Sequence, residues 1–344
     1  MKVTVIGAGN VGATAANVIA LKNIASELVL LDIKPGVAEG KVMDMMQTAH
    51  MLGIDTRLIA SSNDYAKTKA SDIIVITSGL PRKPGMTREE LIDKNAKIVG
   101  SVMEQCLVHS PEAIFIIVSN PADTLTYLAL KRSGLPKNRV IGMSGVLDSN
   151  RFIYFLSQAI GCPPADVDGM VIGVHGDLML PLDRFAFYKG IPVTELLSKE
   201  QLARVAADTK QGGGILTNLL GTSAWYAPGA AAASMVAAIA SDAKRMLPCI
   251  AYLEGEYKEH DVCAGVPVIL GKTGMNRGRF KTPGHRSMWQ SMGAAILLSI
   301  HRRDSATLVM GIFLGRLPAS LSTLMGRLFL VPIIGRLHCR KAVK

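Results

Sequence analysis

The chain has 344 residues, which is enough for about two domains and a substantial core. Its net charge of +11 is concentrated at one end. Of the 38 Lys and Arg residues, 12 lie in 275–344, whereas Asp304 is the only one of the 27 Asp and Glu residues found there, so residues 1–274 are balanced at 26 of each sign. This balance excludes an extended nucleic-acid-binding surface over the first 274 residues.

Two features bear on the cellular compartment. Lys2 and the apolar residues that follow it resemble a signal peptide, but glycines and Asn10 interrupt the run, so we expect no targeting segment. The five cysteines are scattered, without metal-ligand spacing or the density of a disulfide framework. This predicts a reducing, cytoplasmic location and no metal site; the cysteines are Cys106, Cys162, Cys249, Cys263 and Cys339.

Apolar runs alternate with helical periodicity through the first 142 residues. The runs predict strands at 2–6, 27–31, 57–60, 72–77 and 113–118. Helices are predicted from the glycine-rich segment to about residue 22, and at 37–52 and 87–109. This alternation is typical of an α/β fold with a parallel, doubly wound sheet.

Beyond residue 142 the pattern becomes mixed. Helices are predicted at 145–160, 194–211 and 228–247, and strands at 169–174, 249–253 and 261–270. We therefore expect a first domain at 1–142, a second, α+β domain at 143–274, and an atypical basic and apolar tail at 275–344.

A glycine-rich segment, GAGNVG at 7–12, follows the first predicted strand and opens a helix. It fits the dinucleotide-binding pattern, with an acid, Asp32, at the end of the second strand. Gly9 would let a pyrophosphate approach the backbone, and Asp32 would bind ribose hydroxyls and favour NAD over NADP. The alternative is a glycine-rich turn in a fold that binds something else.

A histidine at the end of a predicted strand, His175 in GVHGD, is a candidate proton carrier at neutral pH. Asp148 and Arg151 share one face of a predicted helix through their i, i+3 spacing. Asp148 could orient the histidine while Arg151 clamps a substrate carboxylate, or the two could form an ordinary intrahelical ion pair.

The loop 79–88, GLPRKPGMTR, follows the strand at 72–77 and so lies at the carboxyl end of the sheet, where ligands bind in open α/β folds. It carries Arg82 and Arg88, whose planar guanidinium groups suit carboxylates. A solvated basic turn is the alternative interpretation.

These motifs, with VSNPAD, VIGMSGVLDSNRF and GTSAWYAP, occur in an order that resembles the lactate/malate dehydrogenase family over residues 1–274, in particular its bacterial, lactate-dehydrogenase-like malate dehydrogenases. The resemblance implies a Rossmann NAD-binding domain followed by an α+β substrate domain. It also implies a homodimer or homotetramer that acts on a small dicarboxylate and binds no nucleic acid.

The resemblance assigns roles to the substrate-facing residues. His175 would accept and return the proton, paired with Asp148, and Arg151 would hold the C1 carboxylate. Arg88 would polarise the C2 carbonyl. Arg82 would pair with a second carboxylate, since family members that act on lactate carry a neutral residue there. The implied reaction is the NAD-dependent interconversion of (S)-malate and oxaloacetate, with a lactate-type 2-hydroxyacid dehydrogenase as an alternative.

The same resemblance implies the cofactor contacts. Asn120 would bind both the substrate and the nicotinamide side, and Asn95 would contact the cofactor. The remaining cofactor residues would be Gly7, Ala8, Gly9, Asn10, Val11, Gly12, Asp32, Val118 and Ser119.

The chain departs from the family pattern beside the histidine. Val174 stands where the family usually has glycine, and a β-branched residue disfavours positive φ. A position that required positive φ would misplace His175, although we expect the loop to accommodate the valine.

The tail is a larger departure, because charge balance, patterning and resemblance all change near residue 275. A frame-shifted or foreign carboxyl terminus is the most economical explanation. A membrane-surface anchor is a second, whereas Arg316, Pro318 and Arg327 disfavour a transmembrane span. These explanations leave two further hypotheses: an NAD-binding but inactive or unstable protein, and a membrane-associated NAD-binding module.

Overall fold

The structure is a computed structural model that describes residues 1–81 and 87–276. Six parallel strands form the larger part of one nine-stranded sheet, in the order β6-β5-β4-β1-β2-β3. This order confirms the predicted doubly wound Rossmann sheet. The strands are β1 (Lys2–Ile6), β2 (Glu27–Asp32), β3 (Arg57–Ser62), β4 (Ile73–Ile76), β5 (Ile114–Ile117) and β6 (Val140–Gly142).

Helices follow the strands of this half. They are α1 (Asn10–Leu21), α2 (Val37–Gln47), α3 (Ala49–Leu52), α4 (Arg88–His109) and α5 (Ala122–Ser133). Helix α4 begins with a capping box, in which Thr87 Oγ1 accepts the Glu90 N–H and the Glu90 carboxylate accepts the Thr87 N–H, both at 3.1 Å. The predicted helix at 37–52 is instead two helices that meet at Thr48.

The chain after β6 adds further helices and strands. The helices are α6 (Gly145–Ile160), α7 (Val193–Leu196), α8 (Lys199–Leu220) and α9 (Tyr226–Ala240). The strands are β7 (Val167–Asp168), β8 (Val171–Ile172), β9 (Leu180–Pro181), β10 (Phe187–Tyr188), β11 (Ile191–Pro192), β12 (Arg245–Glu254), β13 (His260–Gly271) and β14 (Gly274–Asn276).

The last three strands extend the parallel sheet. β12 pairs antiparallel with β6, with Ile250 opposite Gly142, and β13 and β14 continue the sheet beyond it. Helix α9 packs tightly on α1, because a Cβ on Gly229 would lie 2.6 Å from Thr14 Cβ. The second half of the described chain is therefore built directly onto the first.

Further predictions of secondary structure need correction. The helix predicted at 194–211 is α7 followed by α8, and α8 runs on to Leu220, where Gly221 ends it in the left-handed conformation. The alanine-rich helix ends at Ala240 rather than at residue 247. Shortly after Ala240, residues with positive φ turn the chain into β12. Helix α5 was not predicted, although buried Leu125 and Ala129 mark its inner face.

Candidate active site

The amino end of α1 is open and uncapped. Gly9 is its N-cap residue, no side chain caps the helix, and the first turn has no acidic residue. A Cβ on Gly9 would meet no atom within 4 Å, whereas a Cβ on Gly12 would lie 1.8 Å from the Gly7 carbonyl oxygen. Free N–H groups and the positive end of the helix dipole therefore face an open space suited to a phosphate.

Asp32 lies beside this loop at the end of β2. Its Oδ2 accepts the Ala8 N–H at 2.7 Å, and its Oδ1 accepts the Lys34 N–H at 2.9 Å. The two contacts hold a carboxylate at the edge of the glycine-rich segment. A negative charge in this place suits ribose hydroxyls and repels a phosphate on the ribose.

Asn95 of α4 connects two segments at the carboxyl end of the sheet. Its Oδ1 accepts the Leu80 N–H at 2.8 Å, and its Nδ2 donates to the carbonyl oxygens of Leu80 (3.1 Å) and Asn120 (2.8 Å). The residue is 1 % exposed. Ser119 makes a parallel link, its Oγ donating to the Ser78 carbonyl oxygen at 2.6 Å. These contacts position the start of the loop 79–88 against the Asn120 segment.

His175, Asp148 and Arg151 form one connected group. His175 Nδ1 lies 2.8 Å from Asp148 Oδ2, and the other carboxylate oxygen lies 3.2 Å from Arg151 Nη1. Because the carboxylate can only accept, Nδ1 carries the proton and Nε2 is the nitrogen left for chemistry. The Arg151 Nε is buried and has no hydrogen-bond partner among the described residues.

The surroundings of His175 tune its proton affinity. Burial lowers the pKa of His175, but the charge and hydrogen bond of Asp148, together with the charge of Asp123, outweigh burial and the opposing charge of Arg151. The net effect raises the pKa of His175 above its ordinary value. The protonated imidazole is therefore stabilised by its surroundings.

Val174 does not disturb the histidine loop. The residues with positive φ around it are glycines, Gly173 at 88° and Gly176 at 107°, and Val174 is not among the residues with positive φ. The valine side chain is buried, at 2 % exposure. The loop accommodates Val174 because the left-handed backbone falls on its neighbours.

A cavity of about 330 Å³ is lined by several of the predicted site residues. Among the residues predicted to act on substrate or cofactor, five line it: Val11, Val118, Asn120, Arg151 and His175. Gly9 and Asp32 lie outside this lining, at the glycine-rich loop. Arg82 and the side chain of Arg88 lie outside the described part of the chain, as does the tail from residue 277.

The sequence analysis missed one wall of the cavity. Lys210, Gly213, Gly214 and Thr217 of α8 line it, joined by Ser223. A Cβ on Gly213 would lie 3.5 Å from two nitrogens of the Arg151 guanidinium, so that group packs across the helix backbone. The i, i+3, i+4, i+7 spacing of the four α8 residues is the signal that could have identified this wall.

The described residues contain no cluster of three or more His, Cys, Asp or Glu side chains placed to hold a metal ion. Within 1–81 and 87–276, no helix combines the length and the apolar character needed to cross a bilayer.

Two family models match the chain. The model for the lactate/malate dehydrogenase NAD binding domain matches residues 1–142, and the model for the lactate/malate dehydrogenase alpha/beta C-terminal domain matches residues 145–282. Neither matched range extends beyond residue 282.

Individual relatives agree with these models. The chain is 64% identical to a malate dehydrogenase of Bacteroides thetaiotaomicron over 277 residues, which cover 80% of this chain and 88% of the relative. It resembles the solved malate dehydrogenase of Salinibacter ruber (TM-score 0.82, 43% identity, 90% of this chain and 98% of that one). It also resembles a Plasmodium falciparum malate dehydrogenase solved with NADH (TM-score 0.77, 28% identity, 90% and 100% covered).

The sheet order, the glycine-rich loop and the His175 group had already indicated this relationship, and the matches span most of the sequence. The chain belongs to the lactate/malate dehydrogenase family, with an NAD-binding amino-terminal region.

Proposed function

We propose that this protein is an NAD-dependent malate dehydrogenase that interconverts (S)-malate and oxaloacetate. The observation that carries the proposal is the linked His175, Asp148 and Arg151 group at the cavity. It combines a proton carrier with raised pKa and a guanidinium whose buried Nε has no partner among the described residues. A bound carboxylate would provide that partner.

The residues of the glycine-rich loop suit a dinucleotide. Gly9, with no atom within 4 Å of a Cβ position, and the uncapped end of α1 would hold the pyrophosphate. Asp32 would bind the ribose hydroxyls, and Val11, Val118, Ser119 and Asn120 would form the nicotinamide side. When bound, NAD supplies the acceptor for the hydride that leaves C2 of malate.

The protein's own residues manage the proton and the charges. Nε2 of His175 takes the malate hydroxyl proton as the C2–H electron pair departs and the C2–O bond becomes a carbonyl. Asp148 stabilises the resulting imidazolium, which later returns its proton to water. Per turnover, malate and oxidised cofactor become oxaloacetate, reduced cofactor and one proton. The reverse reaction uses the imidazolium as the acid.

Three arginines divide the substrate among them. Arg151 would clamp the C1 carboxylate, Arg88 would stabilise negative charge on the C2 oxygen, and Arg82 would pair with the C4 carboxylate. Asn120, at the cavity wall, would donate to the substrate oxygen. The loop 79–88 would cover the substrate and exclude water.

We also infer the wider setting of the enzyme. Residues 1–142 would serve as the cofactor domain and 143–274 as the substrate domain, in a cytoplasmic homodimer or homotetramer. The described cysteines are free, which suits a reducing compartment: Cys106, Cys162, Cys249 and Cys263.

Steady-state NADH oxidation with oxaloacetate and with pyruvate tests the proposal. The full chain is expected to prefer oxaloacetate in kcat/KM by about 10²-fold or more, because pyruvate lacks the second carboxylate that would pair with Arg82. In Arg82→Gln the ratio should fall by at least about tenfold, mainly through loss on oxaloacetate. An unchanged ratio would show that Arg82 does not discriminate between oxaloacetate and pyruvate.

The alternative of a folded but inactive protein gives a different result. Bound NADH without turnover of either substrate by the full chain would support it and contradict the proposed function. A matched variant with a family-like carboxyl terminus in place of 275–344 would then show whether that segment is responsible.

A further inference from the structure

The structure holds His175 at two points. Asp148 of α6 contacts its ring, as described above. A second carboxylate, Asp123 of α5, contacts its backbone: Oδ2 accepts the His175 N–H at 3.2 Å. Asp123 is 2 % exposed, so this contact lies inside the protein and is shielded from solvent.

The position of Asp123 in the chain connects it to the cofactor side of the site. It lies in the first turn of α5, three residues after Asn120, whose segment lines the cavity together with Val118. No side chain caps α5, and a carboxylate in the first turn is favoured by the helix dipole. The Asp123 carboxylate therefore has a fixed place relative to Asn120.

The histidine loop needs such a contact. Gly173 and Gly176, which both have positive φ, flank His175. Glycine loses more conformational freedom on ordering than other residues do. Gly173 is anchored by two backbone hydrogen bonds to Gly265, of 2.8 and 2.9 Å. Those bonds lie two residues before His175, and the Asp123 contact continues the anchoring at the histidine itself.

We propose that Asp123 is a positioning residue that fixes the His175 main chain against the Asn120 segment, keeping the proton-transfer ring and the nicotinamide side of the cavity at a constant spacing. This inference rests on the proposed dehydrogenase function. It gives Asp123 a task that differs from that of Asp148, which orients the ring.

The electrostatic surroundings allow the two parts of the Asp123 effect to be separated. His175 faces Asp148 and Arg151 from α6 and Asp123 from α5, while Asp177 and Lys210 line the same cavity. Burial, with the charge of Asp123, raises the pKa of the Cys263 thiol on β13 well above its usual range, so this neighbour stays neutral. Removing the charge of Asp123 should lower the pKa of His175. Removing its hydrogen-bond acceptor should free the backbone N–H of His175.

The experiment compares Asp123→Asn, which can keep an acceptor without the charge, with Asp123→Ala, which keeps neither. Asp72→Asn is the control, because Asp72 Oδ2 likewise accepts a backbone N–H, that of Lys2 at 2.8 Å, at the amino ends of β1 and β4. The readouts are the His175 pKa from NMR titration of the protein without ligands, and kcat and KM for malate and NAD across pH.

In Asp123→Asn we expect the His175 pKa to fall by about half a unit or more while kcat at its pH optimum stays within about threefold of the parent. In Asp123→Ala we expect kcat to fall about tenfold or more, with KM for NAD changed less than about twofold, as misplacement of a catalytic group predicts. Asp72→Asn should match the parent in all three quantities.

Two results would overturn the inference: an unchanged His175 pKa in Asp123→Asn, or a kcat in Asp123→Ala equal to that of Asp72→Asn. If Asp123→Ala does not fold, the pKa and the rate of Asp123→Asn decide the question. A parent chain that binds NADH without turnover would instead contradict the proposed function, and the ligand-free titration would still test the Asp123 contact.

Discussion

The glycine-rich loop at 7–12 and the histidine loop at 173–176 are both glycine-flanked and both lie near the cavity, but different forces shape them. The first is fixed by close approach of its own backbone, since a Cβ on Gly12 would lie 1.8 Å from the Gly7 carbonyl oxygen. The second is held from outside, by carboxylates of two helices. The glycine-rich loop is thus set mainly by backbone packing, with the Asp32 carboxylate accepting its Ala8 N–H, whereas the histidine loop depends on carboxylates of two helices.

This difference has a physical consequence. A local steric fit fails when one atom is added, because closely packed backbone has nowhere to move. A loop held by charged partners fails gradually, through the proton affinity and position of one ring. Substitutions in the two loops should therefore separate folding from chemistry.

The largest effect on stability is expected for Gly12→Ala. The added methyl group would overlap the Gly7 carbonyl, so helix α1 must move away from the sheet, with a loss of unfolding free energy of about 3 kcal/mol or more. Thermal unfolding and NADH titration measure the result. A variant with the stability and NADH affinity of the parent would contradict the steric account of this loop.

His175→Asn should leave the fold intact and remove the proposed proton carrier. We expect kcat for malate oxidation to fall by about 10³–10⁴, with NADH binding kept within about threefold. Stopped-flow binding and steady-state rates on the same preparation provide the test. Equal losses of binding and rate would show that the substitution disturbs the structure rather than the chemistry.

Asp148→Asn should change the pH dependence in a defined direction. The pKa of His175 is raised in the parent, so malate oxidation, which needs the neutral ring, increases as pH rises through that pKa. Without the Asp148 charge the increase should move to lower pH, and oxaloacetate reduction near neutrality should fall by about 10². Rate profiles in both directions check this.

The same pair contributes to stability. A raised histidine pKa stabilises the fold below the unfolded value of about 6.5, and this contribution disappears as pH rises through the folded pKa. In Asp148→Asn this part of the pH dependence of unfolding should be absent. A pH profile of kcat/KM identical to that of the parent would contradict the role assigned to Asp148.

The smallest effect is expected for Gly9→Ala. Its methyl group would meet no protein atom within 4 Å, so the thermal midpoint should stay that of the parent while NADH affinity falls about tenfold, or about 1.4 kcal/mol. Gly40→Ala in α2 is the control, since a Cβ there also meets nothing within 4 Å. Unchanged NADH affinity in Gly9→Ala would exclude close approach of a ligand at this glycine.

The sequence was informative where function depends on neighbours in the chain. The strands β1 to β5, the glycine-rich loop and the i, i+3 pair of Asp148 and Arg151 were predicted from local pattern. Asp123 was not identified, because it lies 52 residues from His175 and only the packing of the folded chain joins them. The α8 wall was missed for a similar reason: the predicted helix stopped short of Gly213, which packs against Arg151.

Hydride transfer from malate with His175 as the proton acceptor is the central claim, and malate deuterated at C2 tests it most directly. The full chain should produce oxaloacetate and NADH that carries one deuterium per turnover, measured by mass spectrometry, and the His175→Asn variant should form this product about 10³-fold more slowly. Oxaloacetate formation without deuterium in NADH, or an undiminished rate in the variant, would contradict the account.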